Sequence, residues 1–132
     1  MEREIKFRGK RIDNGQWIVG DVVHKYWHGD DTYLETAIRY VMKGIYSYPV
    51  AVDPSTVGQY TGLQDRDGKE VYEGDLFKVG ANKRVFECKF ERGCFVAYLD
   101  GKHYGTIGDL HEMYIKVIGN IHEHPELLKQ QQ

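Results

Sequence analysis

Apolar and polar residues alternate with a period of two along much of this chain. Ile5 and Phe7 fall on one side and Lys6 and Arg8 on the other; further on, Val85, Glu87 and Lys89 oppose Phe86, Cys88 and Phe90. A period of two puts successive side chains on opposite faces of a pleated strand. The pattern predicts strands over residues 3–12, 17–19, 22–27, 57–63, 69–72, 76–79, 84–91, 94–99, 103–107 and 114–121. Turn signals separate them: Asp13-Asn14-Gly15, His28-Gly29-Asp30-Asp31, Asp65-Arg66-Asp67-Gly68, Gly74-Asp75, Gly80-Ala81-Asn82-Lys83, Arg92-Gly93 and Asp100-Gly101-Lys102. Gly, Asn and Asp tolerate the positive φ that tight turns need. Gly68, at a hairpin tip, is expected there, and Gly20-Asp21 is expected to break a β run.

Residues 32–42 fit two patterns. Leu34, Ala37, Ile38, Val41 and Met42 have helical spacing, whereas Tyr33, Thr36, Ile38 and Tyr40 are strand formers. The segment is read as strand. Pro49 and Pro54 bias the residues before them toward extended backbone. Residues 109–113 are read as one helical turn capped by Asp109, residues 125–128 as the start of a short helix, and residues 129–132 as a frayed tail. Trp17, with Phe86 or its neighbour Phe90, is assigned to the core. Gly20-Asp21 echoes Gly74-Asp75, each after an aromatic residue, and both are read as a turn that starts a strand.

These elements predict a mainly β fold of strongly bent antiparallel strands within a single domain, residues 1–132. Residues 1–54 form an N-terminal β unit. It is expected to pack with a small SH3-like barrel in the C-terminal half, residues 55–128, whose barrel strands lie in residues 59–121. An OB-like barrel is the alternative. A chain of 132 residues can bury an ordinary core, and ten Tyr, five Phe and two Trp suit half-buried pleated surfaces.

Charge narrows the function classes. Eighteen basic and 20 acidic residues give a net charge of −2, which argues against strong non-specific nucleic-acid binding. A local patch of Lys6, Arg8, Lys10 and Arg11 remains, and with Tyr26 and Trp27 it forms the candidate nucleic-acid site. Aromatic rings beside basic groups can stack single-stranded bases; the competing reading is that these rings fill a core or a subunit interface. No apolar stretch approaches a membrane span, and no leader-like segment opens the chain. A cytoplasmic location is expected, with Cys88 and Cys94 reduced and buried rather than bridged.

No catalytic constellation is legible. The acidic run Asp65, Asp67, Glu70, Glu73 and Asp75 fails the EF-hand spacing, because Lys69 and Leu76 occupy ligand positions; its expected role is turn formation and solvation. His122 and His124 would share a strand face within reach of one metal, but no supporting motif accompanies them, and no metal or other cofactor is assigned. Phosphate-loop and serine-hydrolase signatures are missing from the sequence.

The stretch Gln59-Tyr-Thr-Gly-Leu-Gln-Asp-Arg-Asp-Gly-Lys-Glu-Val-Tyr-Glu-Gly-Asp-Leu76 resembles the central signature of the YopX-like family of phage and prophage proteins. Ile5-Lys6-Phe7-Arg8-Gly9-Lys10, Trp17 and Gly20-Asp21-Val22 are similar to its N-terminal pattern. The run from Val117 to Leu128 resembles its C-terminal one, with His122 and His124 in place of the family's Tyr and Asn. The resemblance implies a phage-derived accessory protein, but the family is functionally uncharacterised and implies no activity. The leading expectation is a non-catalytic protein-binding or assembly module that forms homo-oligomers through the Tyr-rich segment, residues 32–54. The alternative is a nucleic-acid-binding β-barrel.

Overall fold

A computed structural model describes residues 4–27, 33–110 and 114–129. The predicted turn at His28-Gly29-Asp30-Asp31, Thr32, residues 111–113 and the tail residues 130–132 lie outside the described residues. The protein is mainly β with antiparallel sheets, and its contacts divide it into two units, Met1–Gln59 and Tyr60–Gln132.

The first unit contains β1 (Phe7–Lys10), β2 (Trp17–Trp27), β3 (Tyr33–Arg39), β4 (Val41–Met42), β5 (Ile45–Tyr46) and β6 (Val50–Ala51). Its main sheet runs β6-β3-β2-β1, and β4 pairs with β5 as a separate ribbon. The ambiguous segment is therefore strand. Period-two alternation puts Gly9 on the inner face, where a Cβ would lie 3.2 Å from Ile38 and Val52; both of those side chains are buried. Gly20 does not break β2, which is one continuous strand of 11 residues. A Cβ at Gly20 would stand 2.1 Å from the carbonyl oxygen of Arg39 on β3. The glycine is there for close backbone approach, not for a turn, so its likeness to Gly74, which does turn with φ +94°, is not structural. A 3-10 turn (Pro54–Thr56) follows, started by Asp53, whose carboxylate accepts the Ser55 N–H. Thr56 Oγ1 accepts the Lys10 N–H at 2.9 Å and ties this turn to β1.

β7 (Gly58–Gln64) starts in the first unit, where Gln59 and Gly58 pair with Phe7 and Arg8. It continues into the second unit, pairing there with β8 (Glu70–Tyr72). The second unit also has β9 (Asp75–Val79), β10 (Phe86–Glu91), β11 (Cys94–Leu99), β12 (Lys102–Thr106), β13 (Ile115–Asn120) and α1 (Glu126–Lys129). Its sheet runs β12-β11-β10-β9-β13. Two-residue turns close the hairpins β10–β11 and β11–β12. Arg92 and Gly93 have φ of 51° and 78°, and Asp100 and Gly101 have 52° and 79°; two consecutive positive φ values match the right-handed twist of the flanking strands.

One face of this sheet carries the core of Val71, Phe77, Phe86, Cys88, Ala97, Ile107, Ile115 and Val117. The Phe77 and Phe86 rings stack at 5.7 Å. Of the residues assigned to the core, Phe86 is buried and Trp17 is not. Phe90 is 46% exposed and packs on Phe95. Trp17 is half-buried beside cations rather than in a core. A 3-10 turn over Ile107–Asp109 is capped by Thr106; the helical turn expected over residues 109–113 falls mostly outside the described residues.

Asp65 and Asp75 also depart from the expected solvated role. Both are buried. Asp75 accepts the Tyr72 N–H at 2.8 Å, holding the Gly74 turn. Asp65 Oδ1 accepts the N–H groups of Asp67 and Lys69, each at 2.9 Å, and Oδ2 accepts that of Val117, also at 2.9 Å. Arg66 N–H donates to the Ile115 carbonyl at 2.9 Å. The hairpin tip, with Gly68 at φ +82° as expected, is thereby fastened to β13.

Candidate interaction surface

The β4–β5 ribbon forms because Lys43-Gly44, with φ of 52° and 79°, makes another turn with two positive φ values. Its base is closed by Ser47, whose N–H donates to the Tyr40 carbonyl at 2.7 Å and whose hydroxyl accepts the Tyr40 N–H at 3.0 Å. A two-stranded ribbon cannot bury both of its faces by itself. Val41, Met42, Ile45, Tyr46 and Tyr48 are between 54% and 75% exposed. Over residues 40–52 the only charged side chain is Lys43. Arg39, on β3, lays its guanidinium 4.3 Å over the Tyr46 ring. A contiguous exposed apolar patch of this kind is at the upper end of what monomers show and often marks an interaction site.

The basic residues are arranged differently from a single patch with Tyr26 and Trp27. Lys6 pairs with Glu4 at 3.0 Å. Arg8 and Lys10 share a face of β1, and Trp17 lies opposite Lys10 on β2. The Arg8 guanidinium carbon is 4.7 Å and the Lys10 Nζ 5.8 Å from the Trp17 ring centre. Arg11 turns away to Asp13, bonding both carboxylate oxygens at 2.9 and 2.7 Å; that bond pushes the Arg11 pKa up and holds the Asp13 pKa below its ordinary value. Tyr26 and Trp27 lie at the far end of β2, about 30 Å from Trp17 along the strand. Tyr26 is half-buried, and the exposed Trp27 packs on Tyr33 at 4.9 Å. The structure thus joins Arg8 and Lys10 around Trp17, pairs Lys6 with Glu4 and Arg11 with Asp13, and sets Tyr26 and Trp27 at the other end of β2.

The second unit has a concavity of about 470 Å³ lined by Glu91, Arg92, Cys94, Val96, Tyr98, His103 and Thr106. It lies on the face of β10–β12 opposite the core. Tyr98 Oη donates to Glu91 Oε2 at 2.5 Å, and this bond, ahead of burial, pushes the phenol up. Burial pushes neighbouring Glu87 up against the pull of Lys89. Sequence reasoning missed this site; its one signal was the run of alternating ionisable residues Glu87, Lys89 and Glu91. Cys94 pairs with Glu91 and is exposed, while Cys88 pairs with Ala97 and is buried. The two thiols are three register positions apart, too far to bridge, and only one of them is buried. His103 stands opposite Tyr98, four residues along β11 from Cys94 and hence about 13 Å away on strand spacing. That is too far to serve as its base.

His122 and His124 do not share a strand face, because β13 ends at Asn120. The chain turns there: Asn120 Oδ1 accepts the N–H groups of His122 and Glu123 at 3.0 and 2.9 Å, and His124 Nδ1 accepts the Asn120 N–H at 3.2 Å. A Cβ at Gly119 would lie 2.7 Å from that imidazole nitrogen, so His124 is a packed structural residue. Among the described residues no group of three or more His, Cys, Asp or Glu side chains is placed to hold a metal ion. Among them, too, no helix is long and apolar enough to cross a membrane.

The geometry defines a mainly β protein of two antiparallel units, with an exposed apolar ribbon in the first and a polar concavity in the second. The family model described as YopX protein matches residues 6–129, nearly the whole chain, and the chain belongs to the YopX family. Its fold is similar to the crystal structure of protein EF1440 from Enterococcus faecalis. The two share 22% sequence identity with a TM-score of 0.58, over 96% of this chain and 99% of that one. No curated protein matches the chain.

Proposed function

We propose that this YopX-family chain is a phage- or prophage-derived accessory protein that acts without catalysis, as a protein-binding or assembly module. The observation that carries the reading is the β4–β5 ribbon, which presents Val41, Met42, Ile45 and Tyr46 to solvent around a single charge. Protein interfaces are centred on apolar and aromatic side chains from which charge is depleted. The second unit, described by itself, follows an SH3-like plan in this reading. Support for that plan comes from the β9–β12 meander, the 3-10 turn before the closing strand, and the return of β13 to β9.

The experiment is site-specific photo-crosslinking in producing cells. A photoreactive residue at position 45 is compared with one at Asn14, an exposed turn position. Discrete protein adducts at 45 and none at 14 support the reading; no adduct at 45 overturns it. Arg8 and Lys10 around Trp17 favour a second reading, binding of single-stranded nucleic acid. That reading requires an oligonucleotide affinity that falls steeply with salt. It has less support, because Arg11 and Lys6 already face carboxylates.

A further inference from the structure

We infer that the β4–β5 ribbon is a self-association element and that its occupant is the same ribbon of a second copy of this chain. The inference rests on the protein-binding reading above and names the partner. Two observations converge on a second copy. The ribbon offers little charge for a foreign partner to complement: over residues 40–52 Lys43, at its tip, is the only ionisable side chain apart from tyrosines, and the Arg39 guanidinium beside it is stacked on Tyr46. A patch so uniform in chemistry is complementary to itself, as a two-fold interface requires. Among the described residues β4 and β5 pair only with each other, leaving two outer strand edges; an antiparallel match of one edge with its own copy would satisfy backbone groups and apolar side chains together.

Area agrees. The five exposed side chains offer on the order of 600 Å² per copy, so burial on both sides removes roughly 1,000–1,200 Å², near the lower bound for a specific dimer. A net charge of −2 adds little repulsion between copies. Tyr46, held under Arg39, enters such an interface already oriented, which lowers the ordering cost of association. The expected dimer is accordingly of moderate affinity, forming at micromolar concentration.

Sedimentation equilibrium from about 1 µM to 1 mM tests this. The mass should rise from 15.3 kDa toward twice that value, and Ile45→Asp should raise the dissociation constant at least about a hundredfold, since one buried unpaired charge per copy opposes the contact. Ile45 is 73% exposed, so the variant should melt at the wild-type temperature; Ile45→Lys provides the same test if it does not. A monomeric mass across the whole range overturns the inference, as does a dimer indifferent to both variants. Failure here is distinguishable from failure of the broader reading. Photo-adducts at position 45 that join other proteins, with no adduct of twice the chain mass, end the self-association inference and leave the module standing. No adduct at all ends both.

Discussion

Replacing Asp65 isolates the bond set that fastens the 65–68 turn to β13. The residue is 6% exposed, and its carboxylate accepts three backbone N–H groups, from Asp67, Lys69 and Val117. A hydrogen bond to a charged acceptor contributes roughly 1.5–3 kcal/mol, and leaving a buried donor unpaired costs about 1–3 kcal/mol. In Asp65→Ala the amides of Asp67 and Lys69, beside the exposed tip, can turn to water, whereas the Val117 amide is buried. The expected loss is therefore about 3–5 kcal/mol rather than the full sum of three bonds. Asp65→Asn keeps an acceptor for Asp67 and Lys69 but aims its NH₂ at the Val117 N–H, for a loss of about 1–3 kcal/mol. Urea denaturation at pH 7 measures both.

Acid titration sharpens the test. Burial alone would raise the Asp65 pKa, but the amides of Val117, Lys69 and Asp67, together with the Lys69 charge, outweigh it and hold the group below its ordinary value of 3.8. A folded pKa below the unfolded one means stability that is fully present above pH 3.8 and is lost as pH falls through the folded value. The asparagine variant has no such proton to bind, so the gap between it and wild type should shrink below about pH 4. An asparagine variant within 0.5 kcal/mol of wild type at pH 7, or a gap that holds constant in acid, would refute the reasoning.

Three further outcomes are expected. Gly20→Ala should cost about 2–3 kcal/mol, because its Cβ meets the Arg39 carbonyl and strands must part; an unchanged urea midpoint would contradict this. Phe86→Ala should cost about 3–5 kcal/mol and Phe90→Ala about 1 kcal/mol, since the first ring is 1% exposed and the second 46%; equal losses would dispose of the core assignment. A thiol reagent should label Cys94 in the native protein and Cys88 only on unfolding; two native equivalents would mean that Cys88 is open to solvent.

What was legible in the sequence is what adjacent residues decide by themselves. Asp67-Gly68, Arg92-Gly93 and Asp100-Gly101 announce turns because the φ they require is a property of those residues. Phe86 and Cys88 announce a buried face because alternation is local. Other residues answer to partners far along the chain. Gly20 looks like a turn until the Arg39 carbonyl beside it is known. Asp65 looks like one more solvated acid, yet its partner Val117 lies 52 positions away. Trp17 looks like core, but the cations of β1 reach its ring. His122 and His124 looked like a strand pair because nothing local shows that Asn120 turns the chain. The excess of tyrosines pointed to residues 32–54 but not to the Lys43-Gly44 turn that folds a ribbon there; the concavity at Tyr98 was not legible, because three strands build it.

The pairing of β13 with β9 has a consequence for the order in which the second unit assembles. The hairpins β10–β11 and β11–β12 close over two residues each, whereas β13 must find β9 across roughly 40 residues, and longer loops cost more entropy to close. The meander is therefore the natural nucleus, with β13 docking afterwards. Asp65 bonds to Val117 only once β13 has arrived. With the meander as nucleus it would act as a latch set after the rate-limiting step, and weakening it should then leave the refolding rate nearly untouched and accelerate unfolding.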